Sequence, residues 1–332
     1  MLIDSFGRQV TDLRISVTRR CNFSCIYCHN EGLGAPPWAI AQGNHELSPE
    51  EVERYVRIAR EHGIGSIKLT GGEPLVRRDL EEIVDRCVRH VSDVSLTTNG
   101  SLLAGRAESL RSAGLKRVNV SLDTLEAEAL ERVRHGDLRS VLNGVDAALA
   151  AGLKPVKVNM VVMKQTVGYI PSMIDYVAAN RGLKLQLIQF MPELVRHEEW
   201  SVDMNALKEW LEARADSVMM REMHHRRIYR LNGAEVEVVD PVGNPEFCAN
   251  CHRVRLTHEG RLKGCLNRND DLVPLRGLDD DGVREAFRRV AANRMPYYGV
   301  YVRDLTRVPG LLGDLPGVAG AKSGTNREFM RP

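Results

Sequence analysis

Residues 13–28 read LRISVTRRCNFSCIYC, a short apolar run that is followed directly by three cysteines. The run alternates apolar and polar residues and is rich in β-branched side chains, which predicts a β-strand. Five more stretches of this kind follow at intervals that leave room for a helix between them. They are SIKLT (66–70), DVSLTT (93–98), RVNVSLD (117–123), PVKVNMVVM (155–163) and LKLQLIQF (183–190).

The segments between these strands have the period of amphipathic helices. The first, SPEEVERYVRIAREHG, begins with a capping box formed by Ser48 and Glu51 and ends at Gly63. Strands that alternate with helices predict a parallel sheet, which is either an open doubly wound sheet or a partial βα barrel. The other helical segments are 78–90, 101–113, 139–151 and 168–179.

The unusual residues of this first part of the chain fall at the carboxyl ends of the predicted strands, where both sheet types bind ligands. The cysteines follow the first strand, GGEP (71–74) follows the second, TTNG (97–100) closes the third, and Asp123 ends the fourth. Two successive glycines after a strand permit close backbone approach to a ligand, or they simply make a tight turn.

The sequence changes character after about residue 200. A helical segment is followed by RRIYRLNGAEVEVV (226–239), in which an Asn-Gly pair between two alternating runs predicts a hairpin. We therefore expect one domain over 1–220 and a smaller α+β domain over 221–332. The basic stretch 221–230 is interpreted as a solvated face or a domain contact. Residues 32–48 form a long connection that is either a lid or a disordered excursion.

Bulk composition excludes several classes of function. The 332 residues carry 46 basic and 44 acidic side chains, a net charge of +2, so no general attraction to nucleic acid or membrane follows. The N-terminus lacks the apolar run of a secretion signal, and no stretch is apolar for long enough to span a membrane, which predicts a cytoplasmic protein. In that reducing compartment, seven cysteines indicate metal or redox chemistry.

Six of the seven cysteines form two sets of three. Cys21, Cys25 and Cys28 are spaced C-x3-C-x2-C, and a second set follows a C-x2-C-x13-C pattern. A predicted hairpin over 253–266 folds the last cysteine of that second set back toward the other two. The seventh, Cys87, sits at an apolar helical position and is read as a core residue. The second set consists of Cys248, Cys251 and Cys265.

Three thiolates can be completed in two ways. A structural zinc site normally has four ligands, and His29 or His252 would supply the fourth in the first or the second set. An iron–sulfur cluster normally takes four thiolates, so three would leave one iron free to bind a small molecule. The residues alone leave both possibilities open.

The combination of motifs resembles one known family. C-x3-C-x2-C after the first strand, with an aromatic residue before the last cysteine, is similar to the radical S-adenosylmethionine (SAM) signature, and GGEP resembles the contact of that superfamily to the methionine amino group. The second cysteine set, with CHRVRLT inside it, resembles the GTP 3′,8-cyclase family of molybdenum cofactor biosynthesis. The supporting motifs are DLRISVT, TGGEPLVRRDL, LTTNG, NVSLDT and KVNMVV.

The resemblance implies an α/β fold, a partial (β/α)6 TIM-like barrel with a smaller C-terminal α+β domain that carries a second cluster. It implies that each cysteine set holds a [4Fe–4S] cluster with one open iron, the first for SAM and the second for the guanine base of GTP. SAM-contacting positions would be Tyr27, Gly72, Ser121 and Met191. GTP-contacting positions would be Arg14, Lys68, Thr97, Lys157, Arg253, Val254 and Arg255, with Arg253 and Arg255 also catalytic.

The implied reaction is reductive cleavage of SAM to a 5′-deoxyadenosyl radical, followed by conversion of GTP to 3′,8-cyclo-7,8-dihydro-GTP. Implied partners are a low-potential electron donor, a downstream cyclic pyranopterin monophosphate synthase and a second copy in a homodimer. The chain departs from bacterial members at Lys68, Ser66 and Gln186, where those carry Arg, Lys and Arg, and at 305–332, which lack a terminal Gly-Gly. The alternatives are a peptide-modifying two-cluster radical SAM enzyme and a non-catalytic zinc-binding module.

Overall fold

The computed structural model describes residues 1–33 and 46–298. Most of the predicted 32–48 connection and the 305–332 tail therefore lie outside the described residues. Within the described part, no helix combines the length and apolar composition that a membrane span requires. The strands are β1 (Leu2–Ile3), β2 (Gln9–Val10), β3 (Asp12–Thr18), β4 (Ser66–Gly71), β5 (Asp93–Thr98), β6 (Arg117–Ser121), β7 (Val156–Val162), β8 (Leu183–Gln189), β9 (Ser217–Met220), β10 (Arg227–Leu231), β11 (Ala234–Val239), β12 (Arg253–Leu256), β13 (Arg261–Lys263) and β14 (Val273–Pro274).

Twelve of these strands form one sheet in the order β14-β13-β12-β3-β4-β5-β6-β7-β8-β11-β10-β9. The six predicted strands, β3 to β8, lie side by side and are all parallel. β12 pairs parallel with β3 at one end, and β11 pairs parallel with β8 at the other. Side chains from these eight strands line one cavity, so the sheet curves around it. The partial barrel is therefore confirmed over the open doubly wound sheet.

Alternation along the strands decides which residues enter the barrel. On β7, Val156, Val158 and Met160 are fully buried and belong to the hydrophobic core. The intervening Lys157 and Asn159 line the cavity. Because successive side chains of a strand point to opposite faces, the same pattern places polar residues of the neighbouring strands inside the barrel.

Helices cover the outer face of the sheet. Helix α1 begins at Pro49 after the predicted capping box, in which Ser48 accepts from the Glu51 amide and Glu51 accepts from the Ser48 amide. Four of the described helices lie outside the predicted helical segments, namely Ala127–Arg134, Pro192–Val195, Pro245–Ala249 and Asp280–Ala292. The helices are α1 (Pro49–Glu61), α2 (Leu80–Val88), α3 (Ala107–Ser112), α4 (Ala127–Arg134), α5 (Leu138–Ala150), α6 (Ile170–Ala179), α7 (Pro192–Val195), α8 (Met204–Glu212), α9 (Pro245–Ala249) and α10 (Asp280–Ala292).

The predicted hairpin is present as β10 and β11. Asn232 and Gly233 both have positive φ, 51° and 82°, as a two-residue turn of this kind requires. The hairpin does not stand apart from the barrel, because β11 continues the sheet through its pairing of Val236 with Leu185. The main sheet therefore runs across the proposed boundary near residue 220.

Candidate functional site

A cavity of about 850 Å³ lies inside the barrel, and both cysteine sets open into it. Two hairpin strands, β12 and β13, bring the last cysteine of the second set back beside the other two, as the sequence predicts. Cys87, in contrast, is fully buried in α2 and packs in the core. The cysteines that line the cavity are Cys21, Cys25, Cys28, Cys248, Cys251 and Cys265.

The loop that carries the first set is fixed to the barrel by its backbone. The Ile26 amide donates to the Val133 carbonyl at 3.0 Å, and the Cys21 Sγ accepts from the Phe23 amide at 3.4 Å. The Arg134 guanidinium lies against Cys25 and over the Phe23 ring, 5.6 Å from its centroid. Sequence reasoning missed Arg134, because nothing in an amphipathic helix marks one arginine as buried.

Two cysteines of the first set, Cys21 and Cys28, are free thiols whose surroundings disfavour the thiolate form. Burial raises the pKa of Cys21 to about 12 and that of Cys28 to about 11. A coordinated metal ion reverses this preference, since its charge deprotonates a thiol ligand outright. The donor set of three thiols at one cavity wall therefore fits an iron–sulfur cluster, which prefers thiolate ligands.

The glycine pair at the end of β4 lies against the backbone of the first cysteine loop and does more than make a turn. A Cβ on Gly72 would lie 2.2 Å from the Arg20 carbonyl oxygen and 2.5 Å from that of Arg19. Glu73, beside it, is fully buried and accepts from the Thr98 hydroxyl and the Asn99 amide. The GGEP loop is thus clamped between the first cysteine loop and the end of β5, and Gly72 lines the cavity.

The four residues proposed for SAM all line the cavity. The Tyr27 hydroxyl donates to Asp123 at 2.6 Å, and the other carboxylate oxygen of Asp123 accepts from the Val161 amide at 2.7 Å. Ser121 ends β6, and Met191, 9% exposed, is the residue before α7. The structure therefore brings Tyr27, Gly72, Ser121 and Met191 to one region together with the first cysteine set.

The second cysteine set is held by residues that are distant in sequence. Arg8 donates to the Cys248 carbonyl at 2.9 Å, and Arg294 donates to the Cys251 carbonyl at 2.7 Å. Both arginines form ion pairs with Asp4, at 2.7 and 3.3 Å. We call Asp4, Arg8 and Arg294 the N-terminal clamp. Although burial opposes it, the positive charges of Arg294 and Arg253 lower the pKa of the Cys251 thiol.

A partly buried carboxylate faces two of the proposed GTP arginines. Glu31 binds Arg255 at 2.7 Å, lies 3.9 Å from Arg14 and accepts from the Thr70 hydroxyl at 2.8 Å. Against the effect of burial, Arg14 and Arg255 lower the pKa of Glu31 to about 2. Burial in turn lowers the pKa of Arg14 to about 9. Sequence reasoning did not identify Glu31 as this partner.

Six of the seven residues proposed for GTP line the cavity. Lys68 donates to Asn119 at 3.0 Å, and burial holds the pKa of its amine well below the usual value. The Thr97 hydroxyl and the Arg14 Nε are buried without a hydrogen-bond partner among the described residues. The seventh, Val254, is 1% exposed and its side chain packs in the core.

Of the two interpretations of the basic stretch 221–230, a solvated face or a domain contact, the solvated face holds only for part of the stretch, such as the exposed Arg227 and Arg230. His224 and Arg226 are buried, at 3% and 7% exposure, and both line the cavity together with Arg221. Arg221 and Arg226 share the carboxylate of Glu237 with Lys157. These side chains reach the cavity because the chain turns back on itself at His224 and His225, which both have positive φ.

The described contacts use a ring nitrogen of one histidine considered as a zinc ligand and the backbone carbonyl of the other. The His29 Nδ1 accepts from the Gly32 amide at 3.2 Å, and the His252 carbonyl accepts from the amides of Thr11 and Asp12. Within 1–33 and 46–298, no three His, Cys, Asp or Glu side chains converge closely enough to hold one metal ion. Three sulfurs that bind different irons of one cluster do not have to converge on a single point.

Two family models together match nearly all of the described chain. The radical SAM superfamily matches residues 15–177, and the molybdenum cofactor synthesis C family matches residues 183–300. Among curated proteins, the chain is 50% identical over 327 residues to a probable GTP 3′,8-cyclase of Halobacterium salinarum, with 91% of each chain covered. A probable GTP 3′,8-cyclase of Methanocella arvoryzae is 45% identical over 301 residues, covering 90% of this chain and 95% of that one.

Solved structures share the fold at low identity. Streptococcus suis SuiB bound to S-adenosylmethionine matches with a TM-score of 0.61 and 16% identity over 85% of this chain and 68% of that chain. Methylornithine synthase matches with a TM-score of 0.51 and 15% identity over 86% of this chain and 82% of that chain. The extent and identity of the matches to the curated relatives decide the assignment. The chain belongs to the radical SAM superfamily and, within it, to the GTP 3′,8-cyclase family.

Proposed function

We propose that the protein converts GTP to 3′,8-cyclo-7,8-dihydro-GTP in the first step of molybdenum cofactor biosynthesis. The observation that carries this proposal is the meeting of two incomplete cysteine sets and a group of buried cations in one cavity. Buried cations are costly unless they meet an anion, and a nucleoside triphosphate is strongly anionic. A peptide substrate would not need this concentration of positive charge.

The first cysteine set fits the [4Fe–4S] cluster and SAM that membership of the superfamily implies. Cys21, Cys25 and Cys28 would hold three irons, while the polar ends of the neighbouring strands hold SAM. When bound, this cluster supplies one electron for reductive cleavage of SAM to methionine and a 5′-deoxyadenosyl radical. Tyr27 is kept in place for SAM by its hydrogen bond to the buried Asp123.

We assign the second [4Fe–4S] cluster to Cys248, Cys251 and Cys265, with its open iron for the guanine base. The N-terminal clamp binds the carbonyls of Cys248 and Cys251 and holds this set close to Arg253. Arg253 and Arg255 are two residues apart on β12, so their side chains point to the same face of the sheet. Both arginines line the cavity, so they can contact the nucleotide as it reacts. We therefore keep Arg253 and Arg255 as the catalytic residues.

The remaining cationic residues bind and orient the substrate. Arg14, Lys68 and Lys157 lie on β3, β4 and β7 and line the cavity. The buried Thr97 hydroxyl, which has no partner among the described residues, is placed to accept or donate one bond to the same ligand. In the part of the chain that is described, Arg14 and Arg255 already share Glu31, so GTP has to compete with this carboxylate or bind beside it.

The proposal extends to organisation and partners. We place the catalytic part in residues 1–220 and the auxiliary-cluster part after it, both contributing to one sheet. A low-potential electron donor, a downstream cyclic pyranopterin monophosphate synthase and a second copy of the chain are the expected partners in the cytoplasm.

Two of the positions at which the chain departs from bacterial members differ in their relation to the cavity. Ser66 bonds to Asp93 and does not line the cavity, whereas Gln186 does line it.

Anaerobic incubation with GTP, SAM and dithionite tests the proposed reaction. Mass analysis should show a product isomeric with GTP, together with 5′-deoxyadenosine and methionine, and none of these should form with a Cys25→Ser variant. Metal analysis accompanies it: two tetranuclear clusters predict about eight irons and eight sulfides per chain. A colourless protein that contains zinc and leaves GTP unchanged would contradict the proposal and favour the zinc-binding module.

A further inference from the structure

Two arginines reach the cavity from a tight loop in front of β10. The Arg221 amide donates to the Arg226 carbonyl at 2.9 Å, which closes the loop. His224 and His225, between them, have φ of 64° and 44°. Both arginines line the cavity, although neither lies on one of the six predicted barrel strands.

The carboxylate of Glu237 organises these arginines. It is 5% exposed and lies on β11, beside Gln186 of β8 in the sheet register. One oxygen accepts from Lys157 at 2.5 Å and from Gln186 at 2.9 Å. The other accepts from Arg221 at 3.0 Å and lies 3.2 Å from Arg226.

Cations outnumber carboxylates in the ion pairs around Glu237. Three cations, Lys157, Arg221 and Arg226, share the single carboxylate of Glu237. The Arg226 Nε is buried without a hydrogen-bond partner among the described residues. Burial lowers the pKa of Arg226 to about 10, although the charges of Glu237 and Asp12 act in the opposite direction. An anion in the cavity would complete the compensation.

We propose that Arg221 and Arg226 form, with Lys157, a polyphosphate subsite that Glu237 holds in position. The inference rests on the proposed function and deepens it, since it assigns residues to the triphosphate rather than to the base. Guanidinium groups suit this role because their planar forks bind phosphate oxygens in pairs. The loop over 221–226 would thereby supply positive charge beside Gln186, which lines the same part of the cavity and is neutral.

Binding of GTP, GDP and GMP to the reconstituted anaerobic protein tests the subsite. For Arg221→Gln and Arg226→Gln we expect GTP to bind about 10- to 100-fold more weakly, from the usual contribution of a charged hydrogen bond. GMP, which has no distal phosphates, should bind within about 3-fold of wild type. Arg227→Gln is the matched control, because Arg227 is exposed and pairs with Glu212.

The outcomes distinguish a failure of the subsite assignment from a failure of the proposed function. If wild type binds none of the three nucleotides, the proposed function fails. If wild type prefers GTP and both variants keep that preference, or if they lose GTP and GMP equally, the subsite assignment is overturned. Arg226 is buried, so Arg221→Gln, whose side chain is 38% exposed, carries the test if Arg226→Gln does not fold.

Discussion

Replacing Arg294 by Ala should release the second cysteine set from the N-terminal clamp. Arg294 is 1% exposed, donates to the Cys251 carbonyl at 2.7 Å and forms an ion pair with Asp4 at 3.3 Å. Its own carbonyl accepts from Arg8 at 3.3 Å, and that bond survives the substitution. The change therefore removes one charged hydrogen bond, one buried ion pair and the packing of a long side chain.

The loss of folding stability depends on the contacts that Asp4 keeps in the variant. Asp4 keeps Arg8 at 2.7 Å, so the carboxylate is not left unpaired, and the penalty of an isolated buried charge does not apply. A lost charged hydrogen bond costs about 1.5–3 kcal/mol, and lost packing adds to it, which gives about 3 kcal/mol in total. For a chain of this size, that corresponds to a fall of at most about 10 °C in apparent Tm.

Anaerobic thermal unfolding and iron analysis check this prediction. We expect Arg294→Ala to melt earlier than wild type and to retain about four irons instead of about eight, because only the second set depends on the clamp. Arg288→Ala is the control, since this residue lies on α10, which ends two residues before Arg294, and its side chain is 56% exposed and pairs with Glu285 on the surface. If Arg294→Ala keeps wild-type Tm and all its iron, the clamp does not hold the second set.

Three further predictions concern other parts of the site. Gly72→Ala should distort the first cysteine loop and abolish SAM cleavage, whereas Gly105→Ala, which has open space around its Cβ, should keep wild-type turnover of SAM. Arg253→Ala or Arg255→Ala should lower GTP turnover about 10- to 100-fold while dithionite-driven SAM cleavage continues; equal loss of both activities would assign these arginines another role. The pKa of Glu237 is lowered to about 2 from 4.5 by Arg226, Lys157 and Arg221 against the effect of burial, so its stabilisation is complete above pH 4.5 and is lost as the pH falls toward 2. In urea unfolding, wild type should therefore lose about 2 kcal/mol more than Glu237→Gln between pH 4.5 and pH 3, and parallel losses would show that Glu237 does not titrate in this way.

Most of the barrel could be read from the sequence because its signal is local. Alternation of apolar and polar residues indicates both the strands and the side that faces inward, so the sequence predicts Arg14 and Lys68 inside the barrel, where they line the cavity. The two cysteine sets were equally visible, since their spacing and the hairpin over 253–266 are short-range features.

The residues that sequence reasoning missed depend on long-range contacts. Arg8 and Arg294 meet the second cysteine set from opposite ends of the described chain. The basic run that contains Arg221 and Arg226 predicts a solvated face or a domain contact, and the positive φ of His224, which turns the two side chains toward the cavity, has no sequence signal. The pairing of Glu31 with Arg255 is also a long-range contact, because Glu31 lies just after the first cysteine set and Arg255 lies on β12.

Electron paramagnetic resonance of the reduced protein tests most directly whether each cysteine set leaves one iron open inside the shared cavity. SAM should change the signal of a variant with serine at Cys248, Cys251 and Cys265, and GTP should leave that signal unchanged. GTP should change the signal of a variant with serine at Cys21, Cys25 and Cys28, and SAM should not. A signal that neither ligand alters in either variant would show that the protein itself fills the fourth position, which would contradict the account.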